Sequence, residues 1–172
     1  HLPEIEKEAR ASLERSRDQF LSWAVSEGGD DMRYMNVNST AQIQQFLFAP
    51  GFLYSLSLSL VPAKKGREGL PRERIFQVEN TTGYIEPGKK RPLKNRPIKI
   101  QGLGIPPISY TEKGLPQCNA ATITELAGKC EDEDPANWVF GKAYEALGGG
   151  NRGKTACLAL TALSAIEDES EF

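Results

Sequence analysis

The chain has 172 residues, 39% of them hydrophobic, and a formal charge of only −2. That suffices for one ordinary core, as one domain or as one domain carrying a long insertion. The single histidine is His1, and the three cysteines, Cys118, Cys130 and Cys157, are widely spaced without a Cys-x-x-Cys pair. A zinc site, a disulfide framework and a Ser/His or Cys/His mechanism are therefore excluded as expectations, and a reducing compartment fits. No apolar run approaches the roughly 20 residues of a membrane span, so no membrane partner is expected.

Residues 3–25 read as a helix. Pro3 suits a first turn, and Glu4, Glu6 and Glu8 suit its positive end. Ile5, Ala9, Leu13, Phe20 and Ala24 form one stripe, widened by Leu21 and Trp23. The glutamates also set residues 1–20 apart from a retained mitochondrial transit peptide, which is poor in acids. Arg33 to Val37 is expected to be extended. Asn38 or Ser39 then caps a helix over 40–48, with Gln42 placed as the capping-box partner of Ser39.

Between Phe52 and Val61, Leu56, Leu58 and Leu60 alternate with Ser55, Ser57 and Ser59, a period of two that predicts a half-buried strand. Residues 50–107 form a basic, proline-rich insertion. From Pro62 to Lys99 there are 11 Lys/Arg against 4 Asp/Glu, a net +7, whereas the remainder carries 10 against 19, a net −9. Such a block either contacts a polyanion or is a solvated loop. Short apolar pieces at Ile75–Val78 and Ile98–Ile100 predict short strands within it, without a core of their own.

Ala120 to Lys129 should be a helix capped by Asn119, followed by a solvated acidic loop at Glu131–Asp134. Trp138 to Leu147 reads as a helix that Gly148-Gly149-Gly150 breaks, and 153–166 as a last helix with Ala156, Leu160 and Leu163 on one face. The fold expected is mainly α: helices 3–25 and 153–166 pack antiparallel, with small helices at the tip.

Gly148-Gly149-Gly150-Asn151-Arg152-Gly153-Lys154-Thr155 satisfies the phosphate-loop pattern G-x-x-x-x-G-K-T. That chemistry needs a buried strand before the loop and a parallel sheet around it, and here a helix precedes. Nucleotide binding is rejected. The turn is either a helix–helix connection or, through Arg152 and Lys154 at a helix N-terminus, a contact for a nucleic-acid phosphate. No spaced carboxylate pair lies on an apolar element, so neither catalytic residues, metal ligands nor a cofactor are assigned.

Three segments, in order, resemble the thumb subdomain of family A DNA polymerases. The first is Asn36-Val37-Asn38-Ser39 through Gln42 to Phe48. The second is Leu103-Gly104-Ile105-Pro106-Pro107, followed by Tyr110 to Ala127. The third comprises Leu70 to Val78, Ile85 to Pro92, Asn95 to Ile100 and Ala143 to Cys157, and is similar to the inserted thumb of plant and algal organellar members. The resemblance spans essentially the whole chain. It implies backbone contacts with nucleic acid at Asn36, Asn38, Ser39 and Lys113. The basic insertion adds Lys89, Lys90, Arg91, Lys94, Arg96 and Lys99 to these candidates, and the glycine-rich turn adds Arg152 and Lys154. Two departures are Cys118-Asn119 where the family has Ser-Thr, and the acidic run Glu167 to Glu171. The family's exonuclease carboxylates, palm aspartates and fingers lysine have no counterpart in these residues, so no enzymatic activity is expected of them.

Two functions follow as expectations. One is a non-catalytic, thumb-derived structural component of an organellar ribonucleoprotein such as the mitochondrial ribosome, bound to rRNA and neighbouring proteins. The other is the part of an active organellar polymerase that grips primer-template DNA. Both place the chain in a mitochondrial or plastid matrix; a scaffold without nucleic-acid contact is the third reading.

Overall fold

A computed structural model describes residues 3–50 and 70–170, with side chains from 4 to 50 and 70 to 166. The strand expected over 52–61 lies outside the described residues. Helix α1 runs Pro3–Gly28, longer than expected. Its stripe is buried only toward the C-terminal end, where Phe20, Trp23 and Ala24 are covered. Ile5 is 63% exposed, because nothing among the described residues packs on that end.

The segment expected to be extended from Arg33 opens instead as a 3-10 turn, Asp30–Tyr34. Asp30 and Asp31 sit at its N-terminal end, where the unpaired N–H groups favour negative charge. Met32 is driven fully into the core. Helix α2, Thr40–Phe48, is capped by Ser39, whose Oγ accepts from the Gln42 N–H at 3.3 Å. The reciprocal capping-box bond is not made. The Ser39 N–H donates to the Asn36 carbonyl at 3.0 Å. The Gln42 Oε1 accepts from the Asn36 N–H at 2.8 Å.

Strands β1 (Glu73–Glu79) and β2 (Asn95–Gln101) pair antiparallel, from Glu73 opposite Gln101 to Glu79 opposite Asn95. Alternation puts Arg96, Ile98 and Ile100 on the inward face of β2, and all three are buried. Val78, Ile98 and Ile100 join Phe20, Trp23, Phe46 and Leu163 in one hydrophobic core. Gln45, buried on α2, donates through Nε2 to Pro71 O at 2.9 Å, tying this hairpin to the helix. The strap after β2 then supplies N–H donors to the last carbonyls of α2 and to Ala49: Leu103 to Phe46, Ile105 to Leu47 and Gly104 to Ala49, all at 2.9–3.0 Å.

Helix α3, Ala120–Ala127, carries the expected Asn119 cap, with the Thr122 N–H at 2.9 Å from Oδ1. It stops two residues early, at Gly128, whose φ of 79° favours glycine. Residues 128–129 become β3 and pair with β4, Val139–Phe140. This corrects the helix expected over 138–147, of which only α4, Ala143–Ala146, forms. Pairing with β3, just past α3, holds 139–140 extended, and the Gly141 N–H donates to Ala127 O. Helix α5, Gly150–Ser170, lies against α1, α3 and α4. It buries Ala156, Leu160 and Leu163 as expected, and also Cys157, Ala159, Ala162 and Ile166, because neighbours surround it on several sides. Arg152 at its start grips Glu27 at the end of α1. Two helices lying side by side with start against end are antiparallel. Among the described residues the molecule is thus mainly α, with two small antiparallel hairpins.

Candidate nucleic-acid interface

The turn Asn36–Ser39 is shaped by its own polar groups. The Asn38 N–H donates to Asn36 Oδ1 at 3.0 Å, and the buried Gln42 side chain holds the Asn36 N–H from behind. Asn36 and Asn38 consequently stand exposed, while the hydroxyl of Ser39 is occupied with its cap. The two asparagines line a groove of about 480 Å³ with Arg17 and Leu21 from α1, Arg33 and Tyr34 from the 3-10 turn, and Gln77, Glu79 and Thr81 from the β1 side. Arg17 and Arg33 are exposed and make no ion pair among the described residues. Neither was singled out from the sequence. Arg17 shares the helical face of Leu21 by i,i+4 spacing, a weak signal, but the approach of Arg33 depends on the unexpected 3-10 turn.

The basic loop follows Thr81. Lys89, Lys90, Arg91 and Lys94 are all exposed on the connection between β1 and β2. A turn at 86–89 presents the first of them, with the Lys89 N–H donating to Glu86 O at 3.0 Å. Arg96 is different. It is only 7% exposed, lies 4.3 Å from the Tyr34 ring centroid and 4.0 Å from that of Tyr84, and meets Asp31 at 3.7 Å. Its guanidinium is spent inside the molecule, so it does not offer a phosphate a free surface cation. Lys99 is exposed beside Glu73 at 4.0 Å. Lys113 is exposed on a separate turn, closed by the Thr111 and Leu115 backbones, and does not line the groove.

The glycine-rich turn has a different character. The N–H groups of Gly148 and Gly149 donate to Glu145 O and Tyr144 O, and that of Gly150 to the Tyr144 hydroxyl. The three glycine amides that open the motif are therefore already occupied. Arg152 makes a bidentate pair with Glu27, at 3.0 Å from Nε and 2.7 Å from Nη2. That hydrogen bonding pushes its pKa further above the usual guanidinium range. Lys154 lies 5.5 Å from the Trp138 ring centroid, and the Thr155 hydroxyl donates to Asn151 O. No parallel strand pair occurs among the described residues.

Elsewhere, Cys130 and Cys157 are buried free thiols, and desolvation pushes both above the ordinary thiol value of 9.0. Asp132 is held below its usual range by the Asp134 N–H and then by Asn137. No cluster of metal-binding side chains occurs among the described residues, nor any helix long and apolar enough to cross a membrane.

The chain is similar along 96% of its length to DNA polymerase I A, chloroplastic/mitochondrial, of Arabidopsis thaliana, with 31% identity. It is 33% identical to DNA polymerase I A, chloroplastic, of Oryza sativa subsp. japonica, and 30% identical to that plant's DNA polymerase I B, mitochondrial, again over 96% of this chain. In each case the match covers 18% of the relative's length. No protein-family model and no solved structure matches. The chain is thus similar over nearly its whole length to plant organellar DNA polymerase I proteins and spans about 18% of theirs.

Proposed function

We propose that this chain is a thumb-type module that grips the sugar–phosphate backbone of a nucleic-acid duplex. One observation carries the reading. Asn36 and Asn38 share a groove with Arg17 and Arg33, which make no ion pair among the described residues, and the loop bearing Lys89, Lys90, Arg91 and Lys94 leaves from the rim of that groove at Thr81. Amide side chains and free cations on one surface suit phosphate oxygens, which fix register and carry no base sequence. Arg17 and Arg33 join the contact set, and Arg96 leaves it. The similarity to organellar DNA polymerase I supports a matrix location in mitochondria or plastids.

Two settings share this surface: primer-template DNA held within a polymerase, and rRNA within an organellar ribonucleoprotein. Sedimentation of an organelle lysate separates them. Co-migration with a ribosomal subunit, released by RNase, selects the second; light fractions with DNA synthesis activity select the first.

The backbone contact itself is tested by salt titration. Replacing Lys89, Lys90, Arg91 and Lys94 by Glu should weaken duplex DNA and duplex RNA binding about a hundredfold at 0.1 M salt. The log–log salt slope should fall by roughly 3–4. Unchanged affinity and slope would remove this loop from the binding surface.

A further inference from the structure

We infer that Arg96 is a positioning residue for the backbone contact: clamped by Tyr34 and Tyr84, it fixes the basic loop beside the Asn36–Asn38 groove so that the two act as one surface. This rests on the reading under Proposed function. The loop between β1 and β2 has a defined neck. The Asn80 N–H donates to Lys94 O at 2.9 Å, and Asn80 Nδ2 reaches Tyr84 O and Leu93 O at 2.7 and 3.0 Å. Beyond the neck, little apolar burial holds it, since Ile85 is 47% and Leu93 51% exposed.

The clamp ties this neck to the groove wall, since Tyr84, bonded to Asn80 through both its N–H and its carbonyl, also lies over Arg96. One planar cation lies over two rings, that of Tyr84 from the loop and that of Tyr34 from the groove wall. Asp31 completes it, with Oδ1 3.7 Å from Arg96 Nη2 and Oδ2 accepting the Lys99 N–H at 2.9 Å. The 3-10 turn, the loop and strand β2 are thereby joined at one point. A loop held in place before binding does not lose the ordering entropy that a free loop would lose on contact.

The discriminating variant changes no charge. Tyr84→Ala removes one ring of the clamp from a loop position, and Arg96→Lys keeps the charge but loses the flat stacking surface. Duplex affinity and salt slope are measured for both. In parallel, tryptic fragments ending at Lys89, Lys90 and Lys94 are followed by mass. Both variants should bind roughly tenfold more weakly, with the slope lowered by one to two, and cleavage in the loop should be several times faster at unchanged thermal midpoint. If Arg96→Lys keeps affinity and slope while Arg96→Met loses about one unit of slope, Arg96 is a direct phosphate contact and the inference falls. Unchanged cleavage overturns it as well, and so does faster cleavage with unchanged binding. A wild-type chain without salt-dependent duplex binding would instead sink the underlying function, and cleavage alone would then decide whether the clamp holds the loop.

Discussion

Two regions carry the polar chemistry of this chain, the glycine-rich turn at 148–155 and the groove at Asn36–Asn38 with its neighbouring loop. The first has the more suggestive sequence, yet its amides are bonded to Tyr144 and Glu145, its arginine to Glu27, and its lysine faces Trp138. The second has no compact motif, yet it keeps Arg17, Arg33 and the loop cations at the surface. A group already bonded within its own fold must break that bond to take a ligand, whereas a solvated cation gives up only water and counterions. Availability, more than motif, separates the two.

The largest expected contrast lies in charge reversal. Against the hundredfold loss from the loop substitutions, changing Arg152 and Lys154 to Glu together should weaken duplex binding less than about threefold. An equal loss from both variants would erase the distinction between the regions.

Stability should respond the other way. A Cβ on Gly153 would stand 2.5 Å from Tyr144 O, so Gly153→Ala should cost about 1–3 kcal/mol in denaturant unfolding. Duplex affinity of the folded fraction should be unchanged. A stable Gly153→Ala would mean that the turn is looser than its bonding implies.

Gln42 sharpens the other side. Its Oε1 holds the Asn36 N–H from a buried position, so Gln42→Ala should cost about 1 kcal/mol and weaken duplex binding about threefold. Retained affinity in that variant would show that the shape of the turn does not matter for binding.

The smallest effect concerns Cys130 and Cys157, both buried, the second of them on α5 itself. Burial raises both thiols in the folded state, so the unfolded chain releases those protons first. The contribution is complete below the unfolded value of 9.0 and declines above it until the folded value is passed. Thermal melts should hold steady from pH 7 to about 8.5 and fall beyond, with a shallower fall in Cys157→Ala. A melt independent of pH up to strong alkali would show that neither thiol is desolvated as placed.

Much of the framework was legible from local pattern. Helices α1, α2 and α5, the Ser39 and Asn119 caps and both strands of the basic hairpin followed from spacing and capping chemistry. Failures occurred where a distant partner overrode local preference. Residues 139–140 left the helix because β3, just past α3, offered backbone pairing, and Trp138 because its N–H closes the turn on Pro135 O. Arg96 illustrates a signal that was present and unread. It is in phase with Ile98 and Ile100, so the same alternation that buries those two buries it. The resemblance pointed to Asn36 and Asn38, whereas only the fold brings Arg17 and Arg33 to the same groove.

By itself the sequence determined element periodicity, caps and the family resemblance, because each depends on neighbours within a few turns or on motif order. Only the tertiary structure decided which charges are available. Whether Arg152 meets Glu27, 125 positions away, or Arg96 meets two tyrosines is set by packing between elements, where desolvation and pairing are fixed by geometry that no local window contains.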